Sequence, residues 1–172
     1  MSRFFQRIIS DRNGDIGERI YDLVLEVDEK TLRIESKAWR PDQLSERLLA
    51  SSLGGEIVEG AFKNKGPQLR KDLIDSIGKA LNGNNGRIGL DAIDVQWRFD
   101  GRMTSVDIDN AIDDIMRPLN GSETTKQAFF KQLGHENFFT DGVIDNAKIQ
   151  KFLVGEAGIG LRDILETILI PG

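Results

Sequence analysis

The sequence predicts an α+β domain with a single mixed β-sheet packed by helices. Three observations carry this reading. Ile93, Val95, Trp97 and Phe99 alternate with Asp94, Gln96 and Arg98, the two-residue period of a strand with one buried face. Ile108, Ala111, Ile112, Ile115, Met116 and Leu119 recur at helical spacing and form one apolar stripe. Residues Ile20 to Val27 are rich in β-formers and set Leu23, Leu25 and Val27 on one side. A length of 172 residues fits one domain, or one domain with an appendage.

Taken in order, the first strand ends at a turn over Asp28-Glu29-Lys30, and Thr31 to Ile34 can return as a second strand. Pro41 opens a short helix to about Leu53, closed by Gly54-Gly55. Residues 60–66 form a basic, flexible connection. Pro67 opens a helix through Leu81, with Leu69, Leu73, Ile77, Ala80 and Leu81 at helical spacing, and Asn82 to Gly86 breaks it. After the alternating strand and an Asp100-Gly101 turn, the acidic helix runs until Pro118 and Asn120-Gly121 stop it. Thr125 to Leu133 reads as a further helix, followed by a loop carrying Phe138 and Phe139. Val143 to Val154 and Leu161 to Ile170 are the last apolar segments, and the latter fits strand or helix equally.

Composition narrows the function classes. Hydrophobic residues make up 39% and charged residues 30%, ordinary for a soluble globular protein. The net charge of −5 argues mildly against a protein that coats nucleic acid, since phosphate binding wants a basic surface. There is no cysteine, so thiolate ligands and disulfides are excluded, and one histidine makes a zinc enzyme implausible. No run is long enough to span a membrane, and a cytoplasmic location is expected.

The chemistry concentrates in Val106-Asp107-Ile108-Asp109-Asn110-Ala111-Ile112-Asp113-Asp114. Asp109 and Asp113 sit one turn apart on a common helix side. Two carboxylates about 4 Å apart repel by roughly 4 kcal/mol at an effective dielectric near 20. They are tolerated if solvated, if one is protonated, or if a cation lies between them. The plainer reading is helix capping by Asp107 or Asp109, with Asp113 and Asp114 on a solvated face. His135 reads as a lone surface imidazole, and Gly155 to Gly160 as a turn without phosphate-loop spacing. Lys63, Lys65, Arg70, Lys71 and Lys79 form the one dense positive region, broken by Asp72 and Asp75, and read as a solvated helix face.

The order of these pieces resembles the RusA family of Holliday junction resolvases. Val106-Asp107-Ile108-Asp109-Asn110, preceded by Arg98 and Arg102, looks like the family's Asp-x-Asp-Asn signature. Ile144-Asp145-Asn146-Ala147-Lys148-Ile149 looks like its downstream acidic segment, carried on a strand. Lys63 and Lys65, followed by Arg70 and Lys71, look like its basic loop and helix start. The resemblance covers roughly 60–119 and 142–170, and makes about 28–59 and 122–140 insertions in a single RusA-like domain spanning 1–172.

The resemblance implies a homodimeric endonuclease acting on branched DNA. Asp107, Asp109 and a downstream residue would hold Mg²⁺ or Mn²⁺, which activates a water. The third ligand position falls on Asn146, with Asp145 or Asp113 able to complete the site. Lys63, Lys65, Arg70, Lys71, Arg98 and Arg102 would contact DNA. Two departures fall on functional positions: Asn146 is neutral, and Asp113 stands where a lysine is expected. Activity is therefore expected to be weakened or lost. The alternatives are a RusA-like module without catalysis, binding DNA or protein, and an acidic domain that binds or inhibits a basic protein partner.

Overall fold

The computed structural model describes residues 22–53, 68–156 and 158–172. Strands β1 (Leu23–Val27) and β2 (Lys30–Lys37) form an antiparallel hairpin. Its two turn residues, Asp28 and Glu29, both take positive φ, 48° and 64°. That backbone twist matches the twist of the flanking strands, which lets a two-residue loop close the pair. The second strand runs three residues beyond the expected Ile34. Ile20 and Tyr21, at the start of the predicted first strand, lie outside the described residues.

Strand β3 (Val95–Phe99) pairs in parallel with β2 on one side and with β6 (Leu169–Ile170) on the other. The four-stranded sheet is thus mixed, in the order β1-β2-β3-β6. Parallel neighbours need crossovers, and helices supply them. A 3-10 turn (Pro41–Gln43), α1 (Leu44–Leu53) and α2 (Gln68–Asn82) lie between β2 and β3. Between β3 and β6 come α3 (Ser105–Gly121), α4 (Glu123–Leu133), α5 (Asn146–Val154) and α6 (Leu161–Ile168). The expected single sheet needs correcting, because β4 (Phe139–Thr140) and β5 (Val143–Ile144) form a separate two-stranded ribbon.

Strand β3 organises the core. Val95, Trp97 and Phe99 point to the helical side and are buried, while Arg98 is exposed. On the same side, α2 buries Leu69, Asp72, Leu73, Ser76, Ile77 and Ala80. The register places Arg33, Glu35 and Lys37 of β2 beside Val95, Trp97 and Phe99. Each of these charges has a partner. Arg33 bonds Asp75 at 3.0 Å and Asp94 at 2.6 Å. Lys37 pairs with Glu35 at 2.6 Å and lies 4.9 Å from the Trp97 ring centre, a cation–π contact.

Several boundaries differ from expectation for local reasons. Pro118 does not stop α3, which continues to Gly121. A proline in the last turn removes one hydrogen bond, and Ser122 N–H still reaches the Pro118 carbonyl at 2.9 Å. Leu161 to Ile170 is both helix and strand, turning from α6 into β6 without a loop. Gly155 ends α5 with φ of 72° and Gly160 is the N-cap of α6, so the described glycines bound a connection between two helices. The two stretches read as insertions are structural. Strand β2 is internal to the sheet, and Phe129, Phe130 and Phe138 are buried with Phe152 in an edge-to-face cluster. The predicted closure at Gly54-Gly55 and the basic connection at 60–66 lie outside the described residues.

A charge clamp ties α2 to the sheet. Lys79 Nζ bonds both oxygens of Asp94 at 2.9 Å and pairs with Asp75, while Arg33 bridges the same two acids. Partial burial pushes the Asp94 carboxyl up, but hydrogen bonds from Arg33 and Lys79 outweigh it and leave it below its usual 3.8. A carboxyl lowered by folding stabilises the protein above its unfolded-state value, and that contribution is lost as pH falls through the folded value. Thermal melts should therefore show Tm falling below about pH 4, where carboxylates ordinarily protonate. In Asp94→Asn, Tm should be lower at neutral pH and its decline in acid shallower. An unchanged acid decline would show that the clamp contributes little.

Candidate functional site

The acidic helix start is built by its caps. Thr104 is the N-cap of α3, and its hydroxyl accepts from Asp107 N–H at 3.2 Å. Asp107 Oδ2 reaches back to accept from Thr104 N–H and from the Thr104 hydroxyl, both at 3.0 Å. This reciprocal capping box satisfies backbone donors that the first turn of a helix otherwise leaves free. Asp107 is half-buried by it, whereas Asp109 is exposed on the outer face.

The crowding between Asp109 and Asp113 is relieved by solvent and by a guanidinium. Asp113 is exposed and ion-pairs with Arg162 of α6, which also reaches Glu166 at 3.4 Å. Asp114 pairs with Arg117 at 2.8 Å one turn on. The position expected to carry a lysine therefore carries an acid whose partner comes from another helix.

Asp145 is likewise a cap. It begins α5, with Oδ1 accepting from Ala147 N–H at 3.0 Å and Lys148 N–H at 3.2 Å. Its Oδ2 accepts from the Thr140 hydroxyl at 2.7 Å. The Thr140 bond first, then the Lys148 backbone bond, holds this carboxyl below its ordinary range. Asn146 is the first residue of α5 and is exposed. The resemblance carries this segment on a strand, and here it opens a helix, because the Asp145 side chain satisfies the first-turn donors. Among the described residues, no three His, Cys, Asp or Glu side chains gather as a group able to hold a metal ion. Asp107, Asp109 and Asp145 are not brought together as such a group.

The described basic residues are spread over separate elements. Lys63 and Lys65 lie outside the described residues. Arg70 is half-buried and Lys71 exposed in the opening turns of α2. Arg98 lies exposed on β3 and donates Nε–H to Gln96 at 2.9 Å. Arg102 grips Asp100, with Nη2 at 2.8 Å and Nε at 3.2 Å, which lowers the carboxyl and raises the guanidinium from their ordinary values. Its charge is already matched within the turn that precedes α3.

No family model, curated protein or solved structure matches the chain.

Three features lay beyond the sequence reading. Asp72 is buried and accepts from Trp97 Nε1–H at 2.7 Å. Its signal was its position, three residues after Leu69 on the apolar stripe. His135 caps the 3-10 turn Glu136–Phe138 through Nδ1, which accepts from Asn137 N–H at 3.1 Å. Nε2 therefore carries the proton and donates to Asn82 Oδ1 at 3.0 Å. The β4–β5 ribbon turns on Asp141-Gly142, both at positive φ, a hairpin signal that stands in the sequence.

Capping and metal ligation predict different mutational responses. Asparagine caps nearly as well as aspartate but is a much poorer ion ligand. Asp145→Asn should lower Tm by much less than Asp145→Ala, which should lower it by a few degrees. Thr104→Ala should cost about 1 kcal/mol for its lost cap. Equal destabilisation by Asp145→Asn and Asp145→Ala, in denaturant melts, would count against the cap.

Proposed function

We propose that this chain is a non-catalytic binding domain in which the acidic start of α3 is a structural cap rather than a metal centre. One observation carries the reading. The two outer carboxylates that the resolvase resemblance would make ligands, Asp107 and Asp145, each serve the start of a different helix. Mg²⁺ demands near-octahedral oxygens at about 2.0–2.1 Å, and among the described residues no three acids gather to supply them. The net charge of −5 and the pairing of Arg102 with Asp100 favour a basic protein partner over DNA.

The second reading is a RusA-like, Mg²⁺- or Mn²⁺-dependent endonuclease that cuts branched DNA as a homodimer. It is supported by Asp109, which is exposed on α3 two residues from Asp107. Among the described residues no helix is long and apolar enough to cross a membrane.

The deciding experiment incubates the protein with a four-way DNA junction and Mg²⁺ or Mn²⁺, beside an Asp109→Asn control. The binding-domain reading expects no cleavage and no Tm increase with millimolar cation. Cleavage that disappears in Asp109→Asn would overturn it in favour of the nuclease.

A further inference from the structure

We infer that the cleft between the end of α2, the 3-10 turn Glu136–Phe138 and α5 binds a small amphipathic carboxylate, an apolar body carrying one anionic head. The cleft is about 580 Å³, within the range of roughly 300–1,000 Å³ usual for small-ligand sites. It lies away from the acidic start of α3 and depends on neither functional reading given above.

Its lining divides by chemistry. Leu81, Phe138, Phe152 and Ile159 supply the apolar surface. Phe138 and Phe152 pack edge to face, with ring centres 5.0 Å apart, and Phe138 also contacts Phe130 at 4.8 Å. These rings belong to the core, so the surface they offer is preformed and little ordering is required on binding. Burying a ring or short alkyl chain there removes apolar surface from water, which favours binding.

The rim sets the charge of the ligand. Lys148 and Lys151 stand three residues apart on α5 and both line the cleft. Lys148 Nζ is positioned by a 3.0 Å bond to the Phe139 carbonyl, which uses one of its three donors. Among the described residues, neither lysine has a carboxylate within ion-pair distance. The charge clusters at Asp94 and Asp100 are internally matched, and at Asp113 one guanidinium, Arg162, faces two acids. Glu136 is the one acid in the lining, and Asp145, the cap of α5, interacts electrostatically with Lys148 from outside it. Lys151 is then the charge that would meet an anionic head, which favours a monoanion over a cation of the same shape.

The test uses 4-phenylbutyrate as probe, with 4-phenylbutyramide and 4-phenylbutylamine as neutral and cationic matches. Binding is followed by amide chemical shifts of the full chain, and Lys151→Gln and Lys151→Glu serve as variants. Lys151 is exposed in the last turn of α5, so neither change disturbs the core. The carboxylate should bind in the millimolar range or tighter, with shifts confined to the cleft. The amide should bind at least about tenfold more weakly, since a charge-assisted bond is lost. Lys151→Glu should weaken the carboxylate and strengthen the amine. Equal binding of all three probes, no binding of the carboxylate, or indifference to Lys151→Glu would each overturn the inference.

Discussion

Trp97 Nε1–H donates to Asp72 at 2.7 Å inside the core, and the layout of the molecule depends on that bond. A carboxylate removed from water is costly unless a donor meets it there. Asp72 lies on the buried stripe of α2 and Trp97 at the centre of β3, so α2 can dock on the sheet in one register only. A slide by one turn would leave the carboxylate and the indole N–H both buried without each other. Apolar side chains alone tolerate such slips more readily, because their attraction has no direction. The polar pair supplies the specificity that Leu69, Leu73 and Ile77 cannot.

Once that register is set, the charges at the edge of the sheet fall into place. Asp94 precedes β3 by one residue, and Lys79 lies seven residues beyond Asp72, two turns along α2. Docking through Trp97 therefore brings Lys79 to Asp94, and Arg33 meets both Asp94 and Asp75 from the neighbouring strand. This explains why β2 can present Arg33, Glu35 and Lys37 to the helical side of the sheet. An isolated charge there would be expelled, but each has a counter-charge or an aromatic face fixed by the α2–β3 contact. At the other end of β3, the chain leaves through Asp100 into the cap of α3, so the same strand also sets where the acidic helix begins.

The elements legible in the sequence were those whose periodicity is local. Strand β3 and helices α2 and α3 announce themselves because alternation or a 3.6-residue stripe requires no partner to be read. The mixed α+β class follows from them. What escaped depends on contacts distant in sequence. Leu161 to Ile170 fits helix and strand equally, and the register of Leu169 with Trp97 makes its end a strand. The separate β4–β5 ribbon follows from Asp141-Gly142, which a loop reading passes over. The length of β2 is fixed by its pairing with both neighbours, not by its own composition. Pro118 looked like a stop because a helix interior rejects proline, yet the penalty shrinks where few hydrogen bonds remain to be lost.

The acidic motif is ambiguous for a deeper reason. An aspartate offers the same lone pairs to a metal ion, to an arginine and to the free N–H groups of a helix start. Spacing such as Asp107-Ile108-Asp109 therefore suits all three until the donors around it are known. Here the donors are protein groups: Thr104 for Asp107, Arg162 for Asp113, and the first turn of α5 with Thr140 for Asp145. Three of the acids in question are each answered by a different neighbour, and those neighbours sit on separate elements. A divalent ion would need the opposite arrangement, with acids from separate elements turned toward one point. Whether acids from separate elements converge on one point is thus the observation that separates a ligand set from a row of caps, and it is one that sequence spacing does not contain.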